Sequence, residues 1–215
     1  MLMTLSVLGI IGGLLCAVAD MLWDFKGADN KKLGTNGLIY SKWSEMPDWR
    51  FVTSAVLSMI AIPMYCLGLF SLAGQFYEHN KGLAVTLAVL AYMGAVCGFL
   101  THFCACIKPL IYKAVDLDTE VTERIIQRMR KAAAIPFYIP FAVFCFIVPI
   151  ILIIAMVNGF LTVSPLWMLI TPLPVQIFAA VLKKLNNRIF FDFPYCCGIA
   201  LGMSGYSVIA LLNLI

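Results

Sequence analysis

Charge is what this sequence has least of. Only 12% of its 215 residues are Asp, Glu, Lys or Arg, against 62% that are hydrophobic, whereas a soluble domain carries ~25% charged and ~45–50% apolar residues. So few charges do not coat a water-facing surface of this size. That excludes a soluble globular enzyme, a disordered chain and a nucleic-acid binder. Several motifs are missing as well. There is no G-x-S-x-G elbow, no H-E-x-x-H zinc helix and no Walker loop, so the hydrolases, metalloproteases and nucleotide binders those motifs mark have no footing here. No lysine falls in the middle of an apolar run, which argues against a retinal Schiff base. The two histidines, His79 and His102, stand at opposite ends of their segments and do not make a haem pair. The eight cysteines lack the paired C-x-x-C spacing of a structural zinc site and lie in or beside apolar runs, where Cys acts as a small hydrophobe. No polar linker or low-complexity stretch divides the chain, so residues 1–215 read as a single domain.

What is present is a set of long apolar runs. With a mean hydropathy of +0.96, the chain reads as an all-α polytopic membrane protein. Crossing ~30 Å of hydrocarbon takes ~20 helical residues, and six stretches qualify: Thr4–Trp23, Phe51–Tyr77, Gly82–Ile107, Ile135–Val157, Pro165–Val181 and Phe193–Ile215. The runs are continuous rather than alternating, which predicts helices and not barrel strands. The fifth is the shortest and carries Pro165, Pro172 and Pro174, each removing a backbone donor.

Of the 15 basic residues, all but Lys81 fall in the first, third and fifth connections. The positive-inside rule therefore makes those connections cytoplasmic and both termini extracytoplasmic in a cell-membrane protein. Ala17-Val18-Ala19 has the form of a signal-peptide cleavage site, but no Lys or Arg precedes it, so the first run reads as a retained span. The halves 1–107 and 135–215 would be oppositely oriented, yet they share no residue pattern that marks an inverted repeat. In the third connection, Val121, Ile125, Ile126, Met129 and Ala133 recur at helical spacing beside Arg124, Arg128 and Lys131, which predicts an interfacial amphipathic helix. Trp43 and Trp49 flank Pro47 and suit an aromatic membrane belt. Gly9/Gly13, Gly94/Gly98 and Gly198/Gly202 have G-x-x-x-G spacing, which admits either homo-oligomer contacts or, as favoured here, packing within one bundle.

The costly residues are the ionisable ones inside the apolar boundaries. Asp20 and Asp24 share one helical face near the inner end of the first span, and His102 with Cys106 reaches a similar depth late in the third. Tyr195, Asp192, Asn186 and Asn187 lie at the same end. This set is compatible with helix-stabilising hydrogen bonds, with ligand or proton handling, or with a divalent cation using Cys106 as a further donor. The candidate ligand-binding residues are Asp20, Asp24, His102 and Tyr195, with no metal or other cofactor assigned. The favoured function is a cytoplasm-facing polar cavity that binds or transports a small polar molecule, ion or lipid headgroup. A lipid hydrolase or transferase using His102 with Asp20 and Asp24 is the alternative, though no nucleophile accompanies His102 in the sequence. A structural or accessory subunit is the third reading.

Overall fold

Long apolar runs become helices because only a helix satisfies every backbone donor and acceptor within one segment when water is absent. The computed structural model describes residues 1–215 and is built almost wholly of helices: α1 (Leu2–Asp24), α2 (Asp48–Gln75), α3 (Lys81–Ala114), α4 (Thr119–Ala132), α5 (Ala134–Ala142), α6 (Val148–Val157), α7 (Pro172–Leu185) and α8 (Gly198–Leu212). A two-stranded antiparallel hairpin, β1 (Lys32–Leu33) and β2 (Ile39–Tyr40), decorates the first connection. Five helices are long and apolar enough to cross a membrane: α1, α2, α3, the continuous α5–α6 unit Ala134–Val157, and Tyr195–Leu212.

The fifth expected span differs. Its residues form a 3-10 turn at Pro165–Ile170 and then α7, which begins at Pro172. Fourteen residues reach only about 21 Å at ~1.5 Å each, short of the ~30 Å hydrocarbon core. The prolines explain the break. Pro172 is tolerated in the first helical turn, where its missing N–H has no helical acceptor to satisfy, and the same chemistry stops a helix from running into it from Pro165.

Side chains from neighbouring helices approach the prolines of the α5–α6 unit. Pro140 has no N–H to offer the Pro136 carbonyl, and the Thr101 hydroxyl of α3, which donates to the Cys97 carbonyl at 2.8 Å, lies 3.3 Å from it. Near Pro149 the helix widens into a π turn at Val143–Ile147, and the Tyr206 hydroxyl of α8 donates to the Phe144 carbonyl at 2.6 Å. These two contacts join the kinked unit to α3 on one side and α8 on the other.

α1 packs between α2 and α8; α3 lies on α2, α5 on α3, and α7 on α8. The close approach of α1 depends on glycine. A Cβ at Gly13 would stand 2.7 Å from the Ser204 nitrogen and 3.0 Å from its Cα, and one at Gly9 would stand 2.7 Å from the Gly68 nitrogen. Gly202 meets Thr171 and Pro172 in the same way. These pairs are used inside the bundle, so their faces offer no surface to a second copy.

Side-chain bonds gather the connections at two ends. At one end the Ser71 hydroxyl donates to the Leu2 carbonyl at 2.9 Å, the Thr162 amide donates to Asn213 at 2.7 Å, Asn213 donates to Gln75 at 2.7 Å, and the His79 ring stacks on Phe160. Both termini and the connections after α2 and α6 lie there. At the other end Asp192 accepts from the Lys26 and Gly27 amides at 2.7 and 2.6 Å, and the Glu123 carboxylate accepts from the Thr35 and Asn36 amides at 2.9 and 2.8 Å. The first, third and fifth connections lie there.

A small second core caps that end: Ile39, Trp43, Met46, Phe51, Tyr112 and Ile126. Trp43 is only 1% exposed within it, so it is a core residue and not part of a membrane belt, whereas Trp49 is exposed. Ile126 comes from α4, which forms where the spacing predicts and is started by the Asp118 carboxylate accepting from the Val121 amide at 2.9 Å. Arg50 supplies what the end of α1 lacks, donating to the Met21, Leu22 and Phe25 carbonyls at 2.9–3.3 Å.

Candidate functional site

Asp20 sits one turn before the end of α1, and His102 two turns before Pro109 in α3. The packing of both helices on α2 brings them together. The His102 Nδ1 lies 3.1 Å from the Asp20 carboxylate, and its Nε2 lies 2.9 Å from the Ser54 hydroxyl of α2. Ser54 donates its single proton to the Ala19 carbonyl at 2.7 Å and also accepts from the Cys106 thiol at 3.3 Å. With that proton committed, the Nε2 contact carries its proton on the imidazole. One further proton then lies between Nδ1 and Asp20. Each ionisable group thus has a polar partner, which is what lets the two stand in an apolar wall.

The distances Ser54–His102–Asp20 match those of a nucleophile, base and orienting acid. Access does not match. Ser54 is 0% exposed, it faces away from the cavity described below, and its proton points to a backbone carbonyl. As placed, Ser54 positions the imidazole; Asp20, with a side chain 18% exposed, is the more accessible partner.

Asp24 does not join this pair. It forms an ion pair with Lys26, whose ammonium also lies over the rings of Tyr40 at 4.2 Å and Trp23 at 5.3 Å. A neighbouring cation two residues on in sequence captures Asp24 before α3 can. Outside the helices, burial raises the Tyr40 phenol above its usual range, with the nearby Asp24 carboxylate adding to the effect. Nowhere do three His, Cys, Asp or Glu side chains converge as metal donors. Asp24 is turned to Lys26 and the Cys106 thiol to Ser54, so the divalent-cation arrangement does not form.

Asp20 and His102 line a cavity of about 980 Å³. Its floor is apolar and aromatic, made by Tyr65 of α2, Phe144 of the π turn and Met203 of α8. Gly98 lies on its α3 wall, and a Cβ there would come within 3.2 Å of the Tyr65 hydroxyl. The exposed Phe137, Tyr138 and Phe141 of α5 form one side, and Gln176 with Tyr195 form the facing side. Tyr195 thus joins Asp20 and His102 at the cavity as the sequence suggests, with the Lys183 ammonium 4.9 Å from its ring. The mouth is basic. Lys108, half-buried at the end of α3, joins the exposed Gln127, Arg130 and Lys131 of α4.

A family model described as "Family of unknown function (DUF6796)" matches residues 1–215. The chain belongs to this family. No curated protein and no solved structure matches it. In this member of DUF6796, then, the site stands on its own geometry.

Three features of it lay outside the sequence reading. Ser54 is one small polar residue among many in an apolar span. Lys108 and Arg130 read as topology-setting charges. Thr101 draws notice only once Pro140 is known to lie opposite it. A usable signal existed for Lys108 alone: it sits two turns beyond His102 on a helix that continues past the membrane boundary, so the charge and the imidazole belong to one rod.

Proposed function

We propose that this protein is a six-pass protein of the cell membrane, with both termini outside, whose cavity faces the cytoplasm and binds or transports a small polar molecule, ion or lipid headgroup. The carrying observation is the cavity of about 980 Å³ with the Asp20–His102 pair in its wall and basic residues at its mouth. Ligand sites are concave, mostly apolar and furnished with a few placed polar groups, and their volumes run to ~1,000 Å³. The orientation draws support from the gathering of the first, third and fifth connections, which hold all basic residues but Lys81, at the end where the cavity opens. In this topology Pro165–Leu185 completes the fifth pass as a 3-10 turn followed by α7.

Native mass spectrometry of gently extracted protein tests the reading. A retained small molecule or lipid is expected, and its loss in Asp20→Asn with the fold intact would tie it to this wall. A bare protein that takes up nothing from a membrane extract would refute it. Labelling single cysteines introduced at Lys81 and Lys184 tests orientation: reaction at Lys81→Cys from the cytoplasm would sink the topology.

The second reading, a lipid hydrolase or transferase, is favoured by one observation: Ser54 supplies the partner to His102 that the sequence did not reveal. It requires Ser54 to reach substrate, so turnover that disappears in Ser54→Ala at unchanged stability would decide for it.

A further inference from the structure

The mouth and the floor of the cavity differ in chemistry, and the difference describes an occupant. None of the five ion pairs in the molecule uses Lys108, Arg130 or Lys131, and no side-chain hydrogen bond engages them. Among the acids of the first and third connections, Glu123 is engaged by the hairpin amides, Asp118 by the start of α4 and Asp48 by Lys113. Three cations and the Gln127 amide thus line one opening, and no carboxylate lies within 4.0 Å of any of the three. A half-buried lysine without a partner is costly in isolation, and a ligand anion removes that cost.

Below the mouth the character reverses. From Gly98 down to Phe144 and Met203 the wall is apolar, and the small residues Gly98, Ala105 and Ala200 leave the space open. α5 leans on α3 and α7 on α8, so the cavity lies between two helix pairs that meet at the π turn and separate toward the basic end. An occupant entering from the surrounding hydrocarbon would place its apolar part between the pairs and its head among the cations.

We infer that the cavity holds an anionic phospholipid, with its phosphate on Lys108, Arg130 and Lys131 and an acyl chain in the recess beneath. The inference rests on the cavity being a ligand site and adds the class of ligand. An anionic phosphate head fits because Lys108, Arg130 and Lys131 bring three cations to the mouth that no carboxylate pairs. An acyl chain matches the apolar recess, which a free phosphate would leave unfilled.

The test uses the full chain in phosphatidylcholine nanodiscs, with dioleoyl phosphatidate added and retention read by native mass spectrometry. Phosphatidate is expected to be retained over dioleoyl phosphatidylcholine, and the double variant Lys108→Gln/Arg130→Gln is expected to lose about tenfold in retention. Lys184→Gln/Arg188→Gln, exposed cations of the fifth connection that do not line the cavity, is expected to leave retention unchanged. Ala105→Trp, which narrows the passage between the mouth and the recess, should abolish it, and inorganic phosphate should fail to displace the lipid.

Loss in the Lys184/Arg188 variant instead would show adventitious binding to the basic surface at large and overturn the inference. Displacement by inorganic phosphate would overturn the requirement for a chain. Equal retention of both lipids, blocked by Ala105→Trp, would remove the headgroup assignment while leaving the cavity a ligand site. Retention of nothing would remove both.

Discussion

Replacing Ser54 by alanine asks whether this hydroxyl holds the fold or does chemistry. Ser54 is fully buried and joins three helices: it donates to Ala19 of α1 at 2.7 Å and receives His102 and Cys106 of α3 at 2.9 and 3.3 Å. Alanine removes one oxygen and creates almost no space, so the packing loss is small. The cost comes from the His102 Nε2–H, left buried without an acceptor, and such an orphan costs about 1–3 kcal/mol. The Ala19 carbonyl loses only an extra donor, and a thiol is a weak one, so these add little. Interhelical hydrogen bonds in membranes often couple by only ~0.6 kcal/mol, because the unfolded helices also find partners. The lower half of the range is therefore expected, about 1–2 kcal/mol.

Reversible unfolding in mixed detergent micelles reads this directly. A double-mutant cycle with His102→Phe isolates the pair, since the Asp20 carboxyl loses its partner in both His102 variants and that cost cancels, and the double variant should be more stable than the sum of the single losses predicts. Ligand retention should survive Ser54→Ala, because the hydroxyl does not face the cavity. A Ser54→Ala protein within about 0.5 kcal/mol of the parent, with no coupling to His102, would refute the hydrogen-bond assignment on which the proton argument for the Asp20–His102 pair rests.

Three other outcomes follow from the packing and the charges. Gly13→Ala sets a methyl against the Ser204 backbone at 2.7 Å and should destabilise the bundle by about 1–3 kcal/mol; the same unfolding assay checks it. Glu123→Gln weakens the carboxylate that receives the Thr35 and Asn36 amides. Hydrogen exchange at those amides should accelerate, corresponding to about 1.5–3 kcal/mol of local opening, with α1 unaffected. The Lys42 ammonium beside Asp29 holds that carboxyl below its usual value of 3.8, and Asp29 with Glu45 holds Lys42 above its usual 10.5. The lowered acid contributes above its unfolded value, and its share is lost as pH falls through the lower folded value. The raised base contributes below its unfolded value and loses its share as pH rises through the higher folded one. Amides of the Asn30–Ser41 segment should thus be protected at neutral pH and exchange faster, relative to the intrinsic rate, at both extremes.

The sequence alone determined that this is a helical membrane chain, because hydrocarbon selects on run length and composition and both are one-dimensional properties. It also located α4, through apolar periodicity, and it placed Asp20 and His102 at a similar depth, because rise per residue converts sequence position into height. Height does not contain azimuth. Whether Asp20 turns toward His102 or toward lipid depends on how α1 and α3 rotate against α2: Gly9 and Gly13 seat α1 against Gly68, Ser204 and Ser207, and Gly98 seats α3 beside Tyr65 of α2, all across long sequence separations.

For the same reason Asp24, only one turn from Asp20, went elsewhere: Lys26 and the aromatic rings of Trp23 and Tyr40 formed a closer setting for it. Trp43 left the expected membrane belt because the hairpin and α4 close a small core over it. The expected fifth span lacks a continuous helix because of prolines whose number was visible in the sequence. The basic mouth is the fullest case. Lys108, Arg130 and Lys131 serve the orientation rule wherever they lie in their connection, and only the fold of α4 back toward the end of α3 sets them around one opening. Charge count is a property of the chain, whereas charge convergence is a property of its packing.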